Sequence, residues 1–296
     1  MGKVLYPVLK PDFLNRYRDI EPGNRSEIRR YIRENWNKIQ LYAMGNGFRG
    51  VIPRLPSQDS SINLLGSSTK ILKGNRYKVL TRIFYGSPAR ESGRDLCPNR
   101  SPMCTAGCLG TGCWHLAIPS GLNSKRWKSM LLLGDPDRFI RLMILEMDAH
   151  LLSASRKGMD AAIRLDGTTD LGLSDTLAGF DRFQTLDAYD YTKSMGRMMR
   201  FVDGKMPSNR HLTFSRSENN HRNCIRVLEN GGTVAVPIAC KPDRFPDSWL
   251  GFPVENGDRH DIRSWDTPGS WQFLSWKGKH SKASAIRKGF CLPCPN

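Results

Sequence analysis

The sequence lacks long apolar runs, and its first residues lack the apolar segment of a secretory signal peptide. A membrane-spanning helix needs about 20 predominantly apolar residues, and no stretch of this 296-residue chain approaches that length. We therefore expect a protein that does not enter the membrane and that stays in the cytoplasm. Its length allows one large α/β domain or two ordinary ones, with a substantial core in either case.

Several signatures of common enzymes are also missing. The chain contains no G-x-x-x-x-G-K-[ST] loop, which argues against a P-loop ATPase, and no G-x-S-x-G nucleophile elbow. Its six histidines are scattered and form no histidine–hydrophobe–histidine pair, which argues against a nickase of the two-histidine type.

Acidic residues are scarce relative to basic ones. The chain has 45 Lys and Arg against 28 Asp and Glu, a formal net charge of +17. After Asp266 there is no acidic residue at all, and a second basic stretch runs through residues 69–82. Because Lys and Arg gain affinity by displacing counterions from phosphates, we expect a nucleotide or nucleic acid as partner. A basic surface without a specific partner is the alternative.

Hydrophobic patterning predicts an α/β protein. Helical spacing of Ile28, Ile32, Trp36 and Ile39 after a Ser26 cap predicts an N-terminal helix. A strand is predicted over Tyr77–Tyr85, and a long helix between Asp135 and Gly158. Four further apolar segments, within residues 161–170, 186–194, 209–220 and 232–240, read as strands.

Strands that alternate with helices predict parallel βα units, here as a full or partial TIM-like barrel with a helical N-terminal extension. We divide the chain into a basic helical extension (residues 1–60), an α/β metal-binding domain (61–279) and a basic tail (280–296).

Polar side chains follow the predicted strands, and the carboxyl ends of parallel strands gather catalytic groups. The candidate catalytic residues are Asp166, Asp170, Asp190, Lys193, Arg216 and Glu218. The candidate cofactor-binding residues are Gly107, Thr168, Thr169 and Ser215. The candidate carboxylates are of the type that binds a divalent metal ion in metal-assisted hydrolysis, and the cationic side chains of Lys193 and Arg216 are of the type that binds an anion. Ordinary caps and turns are the alternative reading of each loop.

Four cysteines lie close together, separated by six, three and four residues: Cys97, Cys104, Cys108 and Cys113. Such spacing in a chain without a signal peptide predicts a metal site, with free thiols or disulfides as the alternative. Both a structural zinc and an iron–sulfur cluster fit four thiolates in a glycine-containing loop, and the spacing leaves the two open. Cys291 and Cys294 form a C-x2-C pair, whereas Cys224 and Cys240 stand alone and are expected to be buried.

The chain resembles the gene-product-eighty-eight-like proteins of bacteriophages and plasmids. The resemblance rests on YGSPARESGRDLCPNRSPMCTAGCL, AIRLDGTTDL, YDYTKS, HLTFSRSENN, VAVPI and FPVENGDRHDIRSWD, and it runs from about Leu64 to Lys279. It implies a three-cysteine core, carried here by Cys97, Cys104 and Cys108. That core is similar in style to the loops of radical-SAM-like barrel proteins, which hold a four-iron cluster and bind S-adenosylmethionine at its open iron. The gaps of six and three residues differ from the C-x3-C-x2-C spacing of those proteins.

Two hypotheses follow. In the first, the chain is a phage-type iron–sulfur protein with a [4Fe–4S] cluster and S-adenosylmethionine that acts on a nucleotide or nucleic acid in the host cytoplasm. In the second, it is a zinc-stabilised, non-enzymatic nucleic-acid-binding protein of a phage or mobile element. The identity of the metal discriminates between them.

Overall fold

A nine-stranded sheet forms the centre of the protein in a computed structural model, which describes residues 10–112, 114–277 and 282–294. The strands are β1 (Leu65–Gly66), β2 (Val79–Phe84), β3 (Asp160–Arg164), β4 (Asp187–Thr192), β5 (Arg210–Ser215), β6 (Thr233–Ile238), β7 (Ser248–Trp249), β8 (Phe252–Asn256) and β9 (Trp271–Ser275). The predicted strand at Tyr77–Tyr85 corresponds to β2, and the four further predicted strands correspond to β3–β6. Sequence patterning missed β7–β9.

Most of the sheet is parallel. Its order is β1-β2-β3-β4-β5-β6-β9-β8-β7, and every pairing from β2 to β8 is parallel. The edge strands β1 and β7 pair in antiparallel fashion with β2 and β8. The expectation of a mixed α/β protein with parallel βα units is therefore confirmed. A closed barrel is not, because the described sheet has two free ends, at β1 and β7.

Helices cover the sheet and connect its strands. They are α1 (Pro11–Asn15), α2 (Arg25–Glu34), α3 (Trp36–Gly45), α4 (Thr69–Leu72), α5 (Pro102–Ala106), α6 (Leu109–Gly112), α7 (Trp114–Ala117), α8 (Pro119–Gly134), α9 (Pro136–Arg156), α10 (Ser174–Leu177), α11 (Met195–Val202), α12 (His221–Glu229) and α13 (Lys282–Arg287).

The long predicted helix is α9. The Asp135 side chain caps it by accepting a hydrogen bond from the Arg138 N–H at 3.1 Å, and the chain turns away at Gly158 with a φ of 61°. The predicted N-terminal helix differs, because Asn35 divides it into α2 and α3. Its cap is Asn24 rather than Ser26, since the Asn24 side chain accepts from the Ser26 N–H at 2.8 Å.

The two largest apolar clusters among the described residues account for most of the core. The larger joins α1–α3, α8 and α9 to strands β2–β4, and includes Leu14, Ile32 and Phe139. The smaller joins α12 to strands β5, β6 and β9 around Trp271 and Phe273. The N-terminal helices thus share their core with the sheet. Within the residues described, no helix is both long and apolar enough to cross a bilayer.

Candidate functional site

The segment between β2 and α7, residues 85–112, carries the described cysteines of the predicted metal site; we call it the cysteine loop. Cys97, Cys104 and Cys108 are half-buried free thiols. Cys113, the fourth predicted ligand, lies outside the described residues. Because the loop leaves the carboxyl end of β2, it lies at the edge of the sheet where parallel strands place functional groups.

Backbone groups of this loop act on two of the cysteine thiols. The Cys97 Sγ accepts a hydrogen bond from the Ala89 N–H and donates one to the Thr168 carbonyl, each at 3.4 Å. The backbone N–H groups of Gly110 and Thr111 lower the pKa of the Cys108 thiol, and the Thr111 N–H donates its hydrogen bond to the Cys108 carbonyl at 3.2 Å. Donors of this kind stabilise a thiolate, which is the form that binds metals.

The three thiols interact electrostatically. Burial raises the pKa of Cys97 well above the ordinary thiol range, the Ala89 N–H opposes that shift, and the nearby Cys108 and Cys104 thiols add to it. Burial likewise raises the pKa of Cys108, with a further contribution from Cys104. Bringing thiols that interact in this way to the thiolate form requires a cation, because neighbouring negative charges repel one another.

One such cation is Lys125 of α8, which sequence reasoning missed. Its side chain is only 1% exposed, and its ammonium donates to the Gly110 carbonyl and lies 3.6 Å from Glu91. The positive charge lowers the pKa of Cys108. In the sequence, Lys125 lies shortly before the apolar run MLLL (residues 130–133) of the same helix, but the sequence does not say which partner its side chain has.

Glu218, predicted to be catalytic, positions the cysteine loop. The Ser101 hydroxyl caps α5 by accepting from the Cys104 N–H at 3.1 Å, and it donates to Glu218 at 2.6 Å. A second oxygen of Glu218 accepts from the Met103 N–H at 2.9 Å. A carboxylate that follows β5 therefore fixes the start of the helix that carries Cys104.

Gly107 and Thr168 of the predicted cofactor site serve packing, as does Gly110. A Cβ on Gly110 would lie 3.0 Å from the Thr168 side chain, and one on Gly107 would lie 3.1 Å from the Trp276 ring. The Thr168 hydroxyl donates to the Gly86 carbonyl at 2.6 Å. Gly107 and Thr168 thus allow the cysteine loop to pack closely on the sheet edge.

Three of the predicted acidic residues, Asp166, Asp170 and Asp190, lie close together, but each of them pairs with an arginine. Arg197 of α11 contacts Asp166 at 3.3 Å and Asp175 at 2.6 Å, and also pairs with Asp170. Arg210 of β5 contacts Asp175 at 3.0 Å and Asp190 at 3.3 Å. We call these six residues the arginine–carboxylate network.

The remaining oxygens of this network bind nearby loop groups. Asp166 accepts from the Thr169 hydroxyl and from the N–H groups of Leu171 and Gly172, at 2.7–2.9 Å. Asp190 accepts from the Asp166 N–H at 2.9 Å and from Ser174. Thr169, predicted to bind a cofactor, is therefore engaged by Asp166. This arrangement orders the segment after β3.

Burial and arginine contacts have opposite effects on these carboxyl groups. Burial raises the pKa of Asp190 to about 6, although Arg210 opposes the shift. At Asp175 burial also favours the neutral form, but Arg197 and Arg210 outweigh it and hold the pKa at about 2. Of these two carboxyl groups, Asp190 is the nearer to titrating at neutral pH.

The other predicted residues lie at neighbouring strand ends. The Arg216 guanidinium donates to the carbonyls of Gly289 and Phe290 at 2.9 and 3.1 Å, so it holds the C-terminal segment. The Ser215 carbonyl accepts from the Asn220 amide at 3.0 Å. The Lys193 N–H donates to Asp170 at 3.1 Å, while its half-buried ammonium makes no hydrogen bond or ion pair with any described residue.

Within residues 10–112, 114–277 and 282–294, no three Cys, His, Asp or Glu side chains are arranged to hold one metal ion. The predictions of an iron–sulfur cluster or zinc at the cysteines, and of a divalent ion at the acids, stay predictions.

With this geometry established, comparison with known families is informative. The sequence model of the family described as Gene product 88 matches residues 63–293. The chain belongs to the Gene product 88 family. Neither a search of curated proteins nor a search of solved structures finds a significant match.

The Gene product 88 match contains every predicted site residue and begins after helices α1–α3. We expected the tail after Lys279 to lie outside the family; instead the match continues to residue 293. The family region therefore includes Gly289 and Phe290, whose carbonyls Arg216 binds.

Proposed function

We propose that this Gene product 88 protein is a metalloprotein whose cysteine loop binds an iron–sulfur cluster through Cys97, Cys104 and Cys108, and that it acts on a nucleotide or nucleic acid. The observation that carries the proposal is the set of three free thiols in one loop at the carboxyl edge of the sheet, two of them influenced by backbone N–H groups.

The donor set fits a cluster chemically. Iron–sulfur clusters are held by Cys thiolates, and hydrogen bonds to the sulfurs and nearby charge set their potentials. Here Ala89 supplies an N–H group to the Cys97 sulfur, the N–H groups of Gly110 and Thr111 lower the pKa of Cys108, and Lys125 supplies a buried positive charge beside Cys108. In a four-iron cluster each thiolate binds a different iron, so the sulfurs need not converge on one ion as they do around zinc.

The position of the loop also supports this reading. The cysteine loop follows β2. Six parallel strands lie side by side in the sheet in the same order as in the chain, namely β2, β3, β4, β5, β6 and β9, and β2 is the first of them. A radical-SAM-like role needs three thiolates at the carboxyl end of such a sheet, with one iron left for a small-molecule ligand. A bound cluster would supply electron transfer, and its open iron would bind S-adenosylmethionine.

The chain's own residues would serve the site in distinct ways. Glu218 and Ser101 hold the helix that carries Cys104, and Lys125 compensates negative charge at Cys108. The free ammonium of Lys193, at the end of β4, is available to an anionic substrate such as a phosphate. The net charge of +17 favours such substrates over the whole surface.

A second candidate function is a zinc-stabilised nucleic-acid-binding protein without enzymatic activity. The arginine–carboxylate network favours this candidate, because Arg197 and Arg210 form ion pairs with the carboxylates that a metal ion for hydrolysis would need as ligands. This candidate keeps the same cysteines as metal ligands and the same basic surface.

Anaerobic purification followed by iron, sulfide and zinc analysis tests both candidates. We expect a coloured protein that contains iron and acid-labile sulfide, and loss of both in Cys97→Ser, Cys104→Ser and Cys108→Ser. Cys224→Ser is the matched control, because Cys224 is a fully buried thiol of α12 outside the loop. A colourless protein with one zinc per chain would support the second candidate, and metal content that is unchanged in all three loop variants would contradict both.

A further inference from the structure

The C-terminal segment, residues 289–294, pairs with the end of β6. Leu292 forms a parallel bridge with Ile238. The Leu292 N–H donates to the Pro237 carbonyl and the Ala239 N–H donates to the Leu292 carbonyl, both at 2.9 Å. A segment that sequence analysis assigns to a basic tail is thus docked along a central strand.

This pairing places two cysteines opposite each other. Cys240 follows Ile238 by two residues, and Cys294 follows Leu292 by two, so parallel register puts both on the same face. Neighbouring strands lie about 4.8 Å apart, within the roughly 4.4–6.8 Å between Cα atoms that a disulfide requires. Cys291, an odd number of residues from Cys294, belongs to the opposite face.

Side-chain surroundings agree with this register. Both Cys240 and Cys294 pack on the apolar cluster of β5, β6 and β9, and the Cys294 Sγ donates to the Arg244 carbonyl at 3.7 Å. Burial and a hydrogen bond with the Cys294 thiol raise the pKa of Cys240 to about 11. Cys240 is 8% exposed and Cys294 is half-buried, so oxidants in solution reach Cys294 first.

We propose that Cys240 and Cys294 form a reversible disulfide when a hydroperoxide oxidises the protein, which tethers the C-terminal segment to the sheet. Cys294 attacks the peroxide as a thiolate, which breaks the O–O bond, forms a sulfenic acid and releases water or an alcohol. The Cys240 thiolate then attacks the sulfenic sulfur; the S–S bond forms, and hydroxide leaves and is protonated to water. Two thiols are oxidised and one peroxide is reduced.

Peptide mapping tests the proposal directly and does not depend on the metal. The reduced full-length protein is treated with hydrogen peroxide, its remaining thiols are alkylated, and it is digested with trypsin without reductant. We expect a cross-linked species that joins residues 227–244 to residues 289–296 and disappears on reduction. The tail peptide contains both Cys291 and Cys294, so variants assign the sulfur.

Cys294→Ser abolishes the cross-link, whereas Cys291→Ser, the matched control from the same peptide, retains it. Because the bond closes a long loop, oxidation raises the melting temperature by on the order of 5 °C in the unmodified protein and in Cys291→Ser, but not in Cys294→Ser. A Cys291–Cys294 bond, or a Cys240 that stays open to alkylation after unfolding, would overturn the proposal.

Discussion

Arg197 compensates more buried charge than any other single side chain in the arginine–carboxylate network. It contacts Asp166, Asp170 and Asp175, and its side chain is only 14% exposed. Removing one partner of a buried ion pair leaves uncompensated charge, which costs about 3–5 kcal/mol. We expect Arg197→Met to lower the free energy of unfolding by that amount in urea denaturation. Arg200→Met, an exposed arginine of the same helix α11, is the control and should change it by less than about 0.5 kcal/mol.

The destabilisation of Arg197→Met depends on pH in a defined direction. Without the guanidinium, burial raises the folded-state pKa of Asp170 further above the unfolded value, and Asp175 loses one of the two arginines that hold its pKa at about 2. Below an unfolded pKa of about 3.9 these groups are protonated in both states, so little is lost there. The loss in the free energy of unfolding of Arg197→Met therefore grows as the pH rises through the raised folded-state pKa of the buried carboxyl group. Urea denaturation between pH 4 and 8 checks this, and a loss that shrinks toward pH 8 would contradict it.

Glu218 acts on the cysteines through α5 rather than by contact with them. Glu218→Gln keeps the shape of the side chain but removes the charge that binds Ser101 and the Met103 N–H. Hydrogen bonds to a charged group are worth about 1.5–3 kcal/mol, so we expect the helix start to loosen locally. The measurement is the alkylation rate of Cys104 and the metal content of the purified protein.

Glu229→Gln, an exposed acid at the end of α12, is the control for that experiment. A purely structural role for Glu218 would lower the melting temperature and leave alkylation and metal content per folded chain unchanged. That outcome would contradict the role of Glu218 in positioning the cysteine loop.

At the scale of elements, close packing holds the cysteine loop on the sheet edge. Gly110→Ala places a Cβ 3.0 Å from Thr168 and 3.1 Å from Pro88. Overpacking lowers the free energy of unfolding by about 1–3 kcal/mol, and the higher helix propensity of alanine raises it by up to about 1 kcal/mol. We therefore expect Gly110→Ala to lower the free energy of unfolding by about 1 kcal/mol. Gly196→Ala in α11 meets no atom within 4 Å and should stabilise by about 0.5–1 kcal/mol. Thermal unfolding distinguishes the two signs, and equal shifts would contradict the packing argument.

Local signals account for the elements that could be predicted from sequence. The α9 helix carries its own cap at Asp135 and its own stop at Gly158, and strands β2–β6 are rich in apolar and β-branched residues. The short strands β7 and β8 carry no such pattern. The break between α2 and α3 at Asn35 was missed because the apolar spacing runs through it.

The candidate site was only partly predictable for a different reason. Polar strand ends predicted that Asp166, Asp170 and Asp190 would gather, and they do. Their partners Arg197 and Arg210 belong to other elements, and only the folded arrangement brings them together. Likewise, Glu218 lies more than a hundred residues from Ser101. Contacts between residues so far apart along the chain produce no periodic pattern in a single sequence.

At the scale of the whole molecule, the charge distribution bears on the proposed nucleic-acid partner. The family region carries the described C-terminal basic residues Lys282, Arg287 and Lys288, and the acid-free segment after Asp266 has no carboxylates to neutralise them. Arg287 and Lys288 are exposed, in a segment whose neighbours Gly289 and Phe290 are held by Arg216. These charges are therefore presented on an anchored surface.

Binding to DNA should weaken steeply with salt. A protein that makes 6–10 phosphate contacts loses roughly 10³–10⁵ in affinity between about 50 and 200 mM salt. We expect the double variant Arg287→Gln, Lys288→Gln to reduce the slope of log K against log salt by about 2, one unit per lost phosphate contact. The measurement is fluorescence anisotropy with single- and double-stranded DNA of unrelated sequences. Arg30→Gln with Lys38→Gln is the matched control, because both residues are exposed and precede the family region. An unchanged slope in the first double variant, or affinity independent of salt, would remove nucleic acid as the partner of this surface.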